Sequence, residues 1–199
     1  MPDIKHFDPE ATLETVVRLF WRQGVAATGV QDIVQATGVN RSSLYATFGG
    51  KQELYRAALD RYITSRSRPA LARLAEGDRG VPAIREFFTG LVEIRCTGEY
   101  ARWGCMVSNA HAGAEKGDPE VRALLDRQHE RLRDALRQAL LTARRQGQLT
   151  EGADPESGAE VLALLAYGIN LRSRAGAGAR RLRATAMAAI DAVAGPTVQ

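Results

Sequence analysis

The segment from Arg41 to Tyr45 carries side-chain types that bind base edges in a DNA groove. Arginine is the commonest ligand of guanine, and serine accepts several hydrogen-bonding partners. Hydroxyl and amino groups on either side of the segment suit phosphate oxygens, which set register rather than sequence preference. The pattern predicts a DNA contact surface, whose members are Thr28, Asn40, Arg41, Ser42, Ser43, Tyr45, Thr47 and Lys51.

Such a surface needs two short helices that meet at a steep angle over a small apolar core. The sequence predicts these helices at 31–37 and 41–48. Gly38 lies in the turn between them, where a residue tolerant of positive φ is needed, and Asn40 can cap the second helix. The pair is held together by four apolar side chains, which are Ile33, Val34, Val39 and Leu44.

An ordinary three-helix cluster with polar surface groups is the alternative, in which the Tyr45 ring simply packs against the first helix. Charge does not decide between the two. The formal net charge is +4 and the pI about 9.4, yet residues 1–60 carry six Lys or Arg against seven Asp or Glu. Because the basic excess lies in the later part of the chain, the case for DNA binding depends on local placement.

Residues 10–55 resemble the N-terminal domain of the TetR family of repressors. The resemblance lies in Asp32-Ile33-Val34, in Thr37-Gly38-Val39-Asn40, and in Leu44-Tyr45-Ala46-Thr47-Phe48 with Lys51 and Leu54 following. It implies a helix-turn-helix that binds operator DNA, followed by helices that form a ligand pocket and a dimer interface. The chain departs from the family pattern at Val34, Ser42 and Gly50, so no base preference is carried over from relatives.

The whole chain is typical of an all-α protein of about nine helices. Good helix formers are abundant, and the alternating Val/Ile/Thr runs of sheets are missing. Asp-Pro-Glu, a helix-start signal, occurs at 8–10, 118–120 and 154–156. We expect further helices at 51–76 with a kink or break at Pro69, and at 81–96, 103–111, 119–146, 155–174 and 177–194. Residues 1–50 are the expected DNA-binding domain, and residues 51–199 the expected ligand-binding and dimerisation domain.

A small-molecule site is expected where polar groups interrupt apolar helix faces in the second domain. Gln128 interrupts the apolar stripe of the 119–146 helix, and an inward amide needs a partner. A bond to a neighbouring helix or to water explains Gln128 equally well, and core packing is the alternative for the aromatic and apolar candidates. The candidate effector contacts are Phe88, Trp103, Met106, Asn109, His111, Gln128, His129 and Tyr167.

Cys105 lies among these candidates and is a possible redox or electrophile sensor. Its reactivity requires a depressed thiol pKa. The alternative is that Cys105 is a small buried apolar residue, which is the usual state of a free cysteine.

The last two helices carry apolar stripes that are expected to build a four-helix dimer interface across a two-fold axis. Packing within one chain is the alternative. The predicted interface residues are Val161, Leu165, Ile169, Leu182, Ala186, Ile190 and Val193.

An enzyme is not expected. His6, His111 and His129 lack metal-ligand spacing, and phosphate-loop, dinucleotide and Gly-x-Ser-x-Gly motifs are absent from the sequence. No cofactor or metal is therefore expected, and the predicted partners are double-stranded operator DNA, a small-molecule effector and a second copy of the chain, with no membrane. Two cysteines, no long apolar run and no signal peptide favour a soluble, cytoplasmic protein. An activator or a helical scaffold without DNA binding remains the alternative function.

Overall fold

The computed structural model describes residues 7–113 and 117–195, and within them every regular element is a helix. His6 lies outside the described residues. The helices are α1 (Pro9–Gln23), α2 (Val30–Thr37), α3 (Arg41–Phe48), α4 (Lys51–Tyr62), a π-helical segment (Ile63–Ser67), α5 (Arg68–Glu76), α6 (Val81–Cys96), α7 (Met106–Ala112), α8 (Pro119–Arg145), α9 (Pro155–Arg174) and α10 (Ala179–Ala194). Because α4, the π segment and α5 form one unbroken rod, the described residues contain nine separate helices, as predicted.

The Asp-Pro-Glu signals begin helices as predicted. The side chains of Asp8, Asp118 and Asp154 each accept hydrogen bonds from backbone N–H groups in the first turns of α1, α8 and α9. Each proline occupies the first helical position, where its missing N–H costs no helical bond.

The predicted break at Pro69 takes the form of a widened turn rather than an interruption. The π segment ends at Ser67, two residues before Pro69. A proline ring in a regular helix collides with the carbonyl four residues earlier, here that of Ser65, and the π turn relieves that collision.

The short helix predicted at 103–111 begins three residues late, at Met106. The backbone is left-handed at Arg102 (φ 64°) and at Gly104 (φ 67°), so Trp103 lies in a loop. This loop places Trp103 beside α1 instead of on the helix with Asn109.

Two apolar cores hold the chain together. The first combines α1 to α4 with Met106, Val107, Val121 and Leu125 from α7 and α8. The second is built from α5, α6 and the later parts of α8, α9 and α10. The first core thus extends across the predicted domain boundary at residue 50, which itself stays a prediction. Within the described residues, no helix has both the length and the apolar character needed to cross a membrane.

Candidate nucleic-acid interface and internal cavity

The turn between α2 and α3 has the geometry that the sequence predicted. Gly38 is left-handed, with φ 69° and ψ 5°, and its N–H donates to the Val34 carbonyl over 2.8 Å. Ile33 and Leu44 are fully buried between the two helices and α1, and Val34 is partly buried at the edge of the same core. The two helices are therefore held in a fixed arrangement, and the outer side of α3 faces solvent, where it can bind a partner.

Asn40 is the cap of α3. Its Oδ1 accepts from the Ser43 backbone N–H over 2.8 Å and from the Ser42 hydroxyl over 2.7 Å. The cap explains why α3 begins at Arg41, and it turns Asn40 and Ser42 toward each other at the exposed start of the helix. A direct DNA contact by Asn40, Ser42 or Ser43 stays a prediction.

Arg41 and Tyr45 lie one helical turn apart and contact each other. The Arg41 guanidinium carbon is 5.2 Å from the centroid of the Tyr45 ring, an attractive cation–π geometry. Tyr45 is partly buried against the N-terminal core, as the packing alternative required, whereas Arg41 is exposed. The ring thus supports an arginine that remains free to bind a base or a phosphate.

Thr47 and Lys51 lie at the other end of α3. Thr47 is exposed, and Lys51 is the first residue of α4, directly after the Gly50 cap. A positive side chain at a helix N-terminus with free N–H groups suits a phosphate. Their phosphate contacts stay predictions.

Thr28 is the predicted contact that the structure places elsewhere. Its side chain is fully buried, and its hydroxyl donates to the Gly24 carbonyl over 2.7 Å. Thr28 therefore closes the loop between α1 and α2 and does not face a phosphate. A threonine suits either a phosphate contact or a hydrogen bond within a loop, and only the burial of Thr28 distinguishes the two roles.

A shallow groove beside α3 contains a residue that the sequence analysis missed. Gln31, exposed in the first turn of α2, lines this groove together with Gly29, Asn40 and Arg41. Gln31 is a candidate base or phosphate contact because it stands next to the start of α3. The signal available in the sequence was its place two residues after Gly29, in the first turn of α2.

A cavity of about 700 Å³ opens between α4, the π segment, α5, α6, α8 and α9. Of the candidate effector contacts, Gln128 and Tyr167 line it, and so does Cys105. Apolar side chains from α5, α6 and α8 form much of the wall, and these are Leu71, Leu74, Phe87, Leu91 and Leu132.

The other candidates do not line this cavity. The prediction included them because apolar periodicity does not distinguish a cavity wall from a packed core. Phe88 is fully buried in the C-terminal core and Met106 in the N-terminal one, while Trp103 packs edge-on against Trp21 at 5.2 Å. Asn109 donates to the Trp103 carbonyl over 2.9 Å.

The two histidines stand behind Tyr167. His111 Nε2 lies 3.2 Å from the Tyr167 hydroxyl, and the His129 ring centroid lies 5.8 Å from that of Tyr167. They therefore support a cavity residue and do not line the cavity themselves.

A buried polar chain in the cavity wall was missed by the sequence analysis. Arg95 donates from Nε to Asn170 Oδ1 over 2.6 Å and from Nη2 to the Tyr62 hydroxyl over 3.2 Å. The Tyr62 hydroxyl donates in turn to Cys105 Sγ over 3.5 Å. Burial raises the pKa of Tyr62 well above its ordinary value, so the phenol stays protonated and can donate. An arginine near a helix end looks solvent-exposed in sequence, and only tertiary packing buries it.

The cavity wall reaches the N-terminal helices through Trp21 of α1. The Trp21 ring lines the cavity, and its indole N–H donates to the Gly104 carbonyl over 2.9 Å. Arg174, at the end of α9, donates to the carbonyls of Trp21 and Arg22 over 3.4 and 3.3 Å. These carbonyls end α1 and have no helical partner, so Arg174 caps α1 from the C-terminal half.

The predicted dimer stripe is largely the inner face of α9 and α10. Ile169, Leu182, Ala186 and Ile190 are buried in the chain's own C-terminal core. Leu165 and Val193 are partly buried against that core, and Val161 is 50% exposed. The four buried residues are therefore core residues of the subunit, whereas an interface role for Val161, Leu165 and Val193 stays a prediction. The outer face of α9 is apolar too, with Val161, Leu164 and Leu171 exposed.

The fold and the site define a helix-turn-helix DNA-binding protein with an internal ligand cavity. Residues 13–58 match the family model described as bacterial regulatory proteins of the tetR family, and residues 80–190 match a tetracyclin repressor-like C-terminal domain. The chain belongs to the TetR family of transcriptional regulators, which are DNA-binding proteins and not enzymes. Among the described residues, no group of three or more His, Cys, Asp or Glu side chains is placed to hold a metal ion.

Individual relatives agree with this assignment. The chain is 30% identical to the transcriptional repressor ComR of Escherichia coli over 89% of this chain and 85% of ComR. It is 31% identical to the uncharacterised regulator YezE of Bacillus subtilis, over 73% of this chain and 74% of YezE. A cysteine-substituted form of the regulator CifR, solved with a 26-base-pair operator, has TM-score 0.82 and 25% identity over 95% of this chain and 98% of CifR.

Proposed function

We propose that this regulator is a repressor that acts as a homodimer and is released from a palindromic operator by a small-molecule effector. The observation that carries the proposal is the exposed start of α3, where Arg41 projects from a helix-turn-helix. The core of this motif is buried, and Asn40 caps its second helix. An α3 placed N-terminus first in the major groove brings Arg41 to base edges. The named repressor ComR, similar over most of its length, supports repression rather than activation.

The dimer is proposed to form through the outer faces of α9 and α10. Val161, Leu164 and Leu171 make an apolar stripe on α9, and Ala184, Ala188 and Ala192 are exposed on α10. Small side chains let helices approach closely, and a two-fold axis gives the same contacts to both subunits. Two α3 helices then address successive major grooves, roughly 34–36 Å apart.

Release is proposed to begin in the 700 Å³ cavity. A ligand there touches Trp21 of α1 and the α9 helix whose end caps α1 through Arg174. A change in the position of either element alters the separation of the two recognition helices. Such coupling between two sites is typically worth about 1–3 kcal/mol.

The domain division at residues 1–50 and 51–199 belongs to the same proposal, with α4 joining the two parts. A cytoplasmic location is also proposed, since the operator is the regulator's target.

The decisive experiment is selection of a binding site from random double-stranded DNA, followed by titration of that site at several salt concentrations. The expected result is a palindromic consensus that one dimer binds more tightly than random DNA. Equal affinity for selected and random sequences would contradict operator recognition. Failure to bind any duplex at low salt would favour the scaffold alternative.

Cys105 supports a second candidate function, thiol-based sensing. Its sulfur lines the cavity and accepts the hydrogen bond from Tyr62, so an electrophile that enters meets it directly. The test is operator binding after treatment with N-ethylmaleimide, with Cys105→Ser as control. Wild-type protein that loses DNA while the variant keeps it supports sensing. Equal responses would assign Cys105 to packing.

A further inference from the structure

Arg95 is a buried cation without a carboxylate partner. The residue is 9% exposed, and its side-chain partners are Asn170, Tyr62 and Cys105, none of which is a carboxylate. Among the described residues, no carboxylate lies within ion-pairing distance of Arg95, and the cavity's Glu86 pairs instead with Arg79 at 2.6 Å. The cavity wall therefore holds a buried guanidinium that no carboxylate of the described chain neutralises.

An isolated buried charge is unfavourable, and proteins normally pair such charges or let them lose their proton. Burial lowers the pKa of the Arg95 guanidinium, but the neighbouring Tyr62 and Cys105 groups outweigh burial and raise it. The group thus stays cationic. The Trp21 ring, 5.6 Å from the guanidinium carbon, compensates part of the charge and supplies no anion.

Gln128 is another polar residue of the cavity wall, and one of its hydrogen-bonding atoms lacks a partner. Its side chain is 6% exposed, and its Oε1 atom is buried without a hydrogen-bond partner. Buried amides are normally satisfied, so this oxygen, which can only accept, calls for a hydrogen-bond donor supplied by water or by a ligand in the cavity. Arg95 and Gln128 come from α6 and α8, which lie on different parts of the wall.

We propose that the effector is an amphipathic organic acid, whose single carboxylate binds Arg95 and whose apolar body fills the rest of the cavity. The proposal rests on the proposed function, because it names the ligand class of that cavity. Leu71, Phe87 and Leu132 provide the apolar wall. A phosphate fits less well, because its second negative charge needs a second cation. Arg66, which also lines the cavity and is partly buried, is already paired with Glu14.

Matched pairs of probes test the charge requirement in the wild-type protein. Calorimetric titration compares octanoate with octanamide, and 3-phenylpropionate with its amide, at neutral pH. The acids are expected to bind roughly ten- to hundredfold more tightly than the amides, the usual effect of a hydrogen bond to a buried charge. Amides that bind as tightly as the acids, or acids that do not bind at all, would overturn the proposal.

Variants locate the preference. Arg95→Met is expected to remove the acid preference, and Arg95→Lys to keep part of it because the cation remains. The matched control is Arg73→Met, since Arg73 also lines the cavity but is exposed. Loss of the preference in Arg73→Met with retention in Arg95→Met would refute the assignment. If Arg95→Met does not fold, the comparison in wild-type protein and Arg95→Lys still decides.

Operator binding by the unliganded protein is measured alongside. Protein that binds its operator but shows no acid preference refutes the ligand class and leaves the repressor intact. Protein that prefers acids but binds no operator refutes the proposed function and leaves the ligand site intact.

Discussion

The guanidinium carbon of Arg95 lies 5.6 Å from the centroid of the Trp21 ring. Arg95 belongs to α6 and Trp21 to α1, so the cavity wall and the DNA-binding helices share a contact. The same indole is held by Gly104, and the end of α1 by Arg174. A ligand that draws Arg95 away from the ring therefore acts on α1 without an intermediate element.

Arg41→Ala is expected to weaken operator binding and to relax base preference at one position of each half-site. Loss of a bidentate base contact costs about 1–3 kcal/mol. Arg127→Ala is the matched control, because Arg127 is also an exposed arginine but lies on α8. Titration of operator variants makes the measurement. Equal losses on operator and random DNA would contradict base recognition by Arg41.

Lys51→Ala is expected to weaken binding to every duplex alike. A phosphate contact releases one counterion, so the slope of log affinity against log salt should fall by about one ion. Lys51→Arg should restore both affinity and slope. An unchanged slope in the alanine variant would remove Lys51 from the DNA contacts.

Asp118→Asn is expected to destabilise the folded protein in a pH-dependent way. The hydrogen bond from Arg56, over 2.7 Å, lowers the pKa of the Asp118 carboxyl in the folded state. Because the pKa of Asp118 is lower in the folded than in the unfolded state, its charge stabilises the fold at pH values above the unfolded-state pKa. This stabilisation is lost as the pH falls through the folded-state pKa. Asparagine still caps α8 through its one amide oxygen, so the variant keeps the cap and loses the charge and the Oδ2 acceptor that faces Arg56.

Urea unfolding across a pH series measures this effect. The wild type should be more stable than Asp118→Asn at pH 7, and the difference should shrink as the pH falls below the ordinary carboxyl pKa of about 4. Asp8→Asn is the control, because Asp8 caps α1 without an ion pair in the described part of the chain. A difference that is constant with pH would show that Arg56 does not act on the charge of Asp118.

Leu164→Glu is expected to separate the dimer. Leu164 is 58% exposed on the outer face of α9, and a glutamate there would lie unpaired in the interface. The dissociation constant should rise by roughly a hundred- to a thousandfold. Sedimentation equilibrium measures it, with Ile94→Glu as control, because Ile94 is 55% exposed but lies on α6. Dimers that persist in Leu164→Glu would place the interface on another face.

Local patterns in the sequence predicted most of the helices and the DNA-binding turn. Caps and breaks act within a few residues, so Asp8, Gly38 and Asn40 have the predicted roles in the structure. The family was recognisable for the same reason, since its motif lies within one continuous segment.

The side of each element that faces the cavity, the core or the solvent became clear from the packing of distant segments. Thr28 and Ile190 have the residue types of a phosphate contact and an interface, yet both are buried within the subunit. Arg95 was missed because nothing near it in sequence shows that α1, α4 and α9 enclose it. Helical periodicity separates the inner from the outer face of a helix, but the partner of each face depends on contacts between residues far apart in the chain.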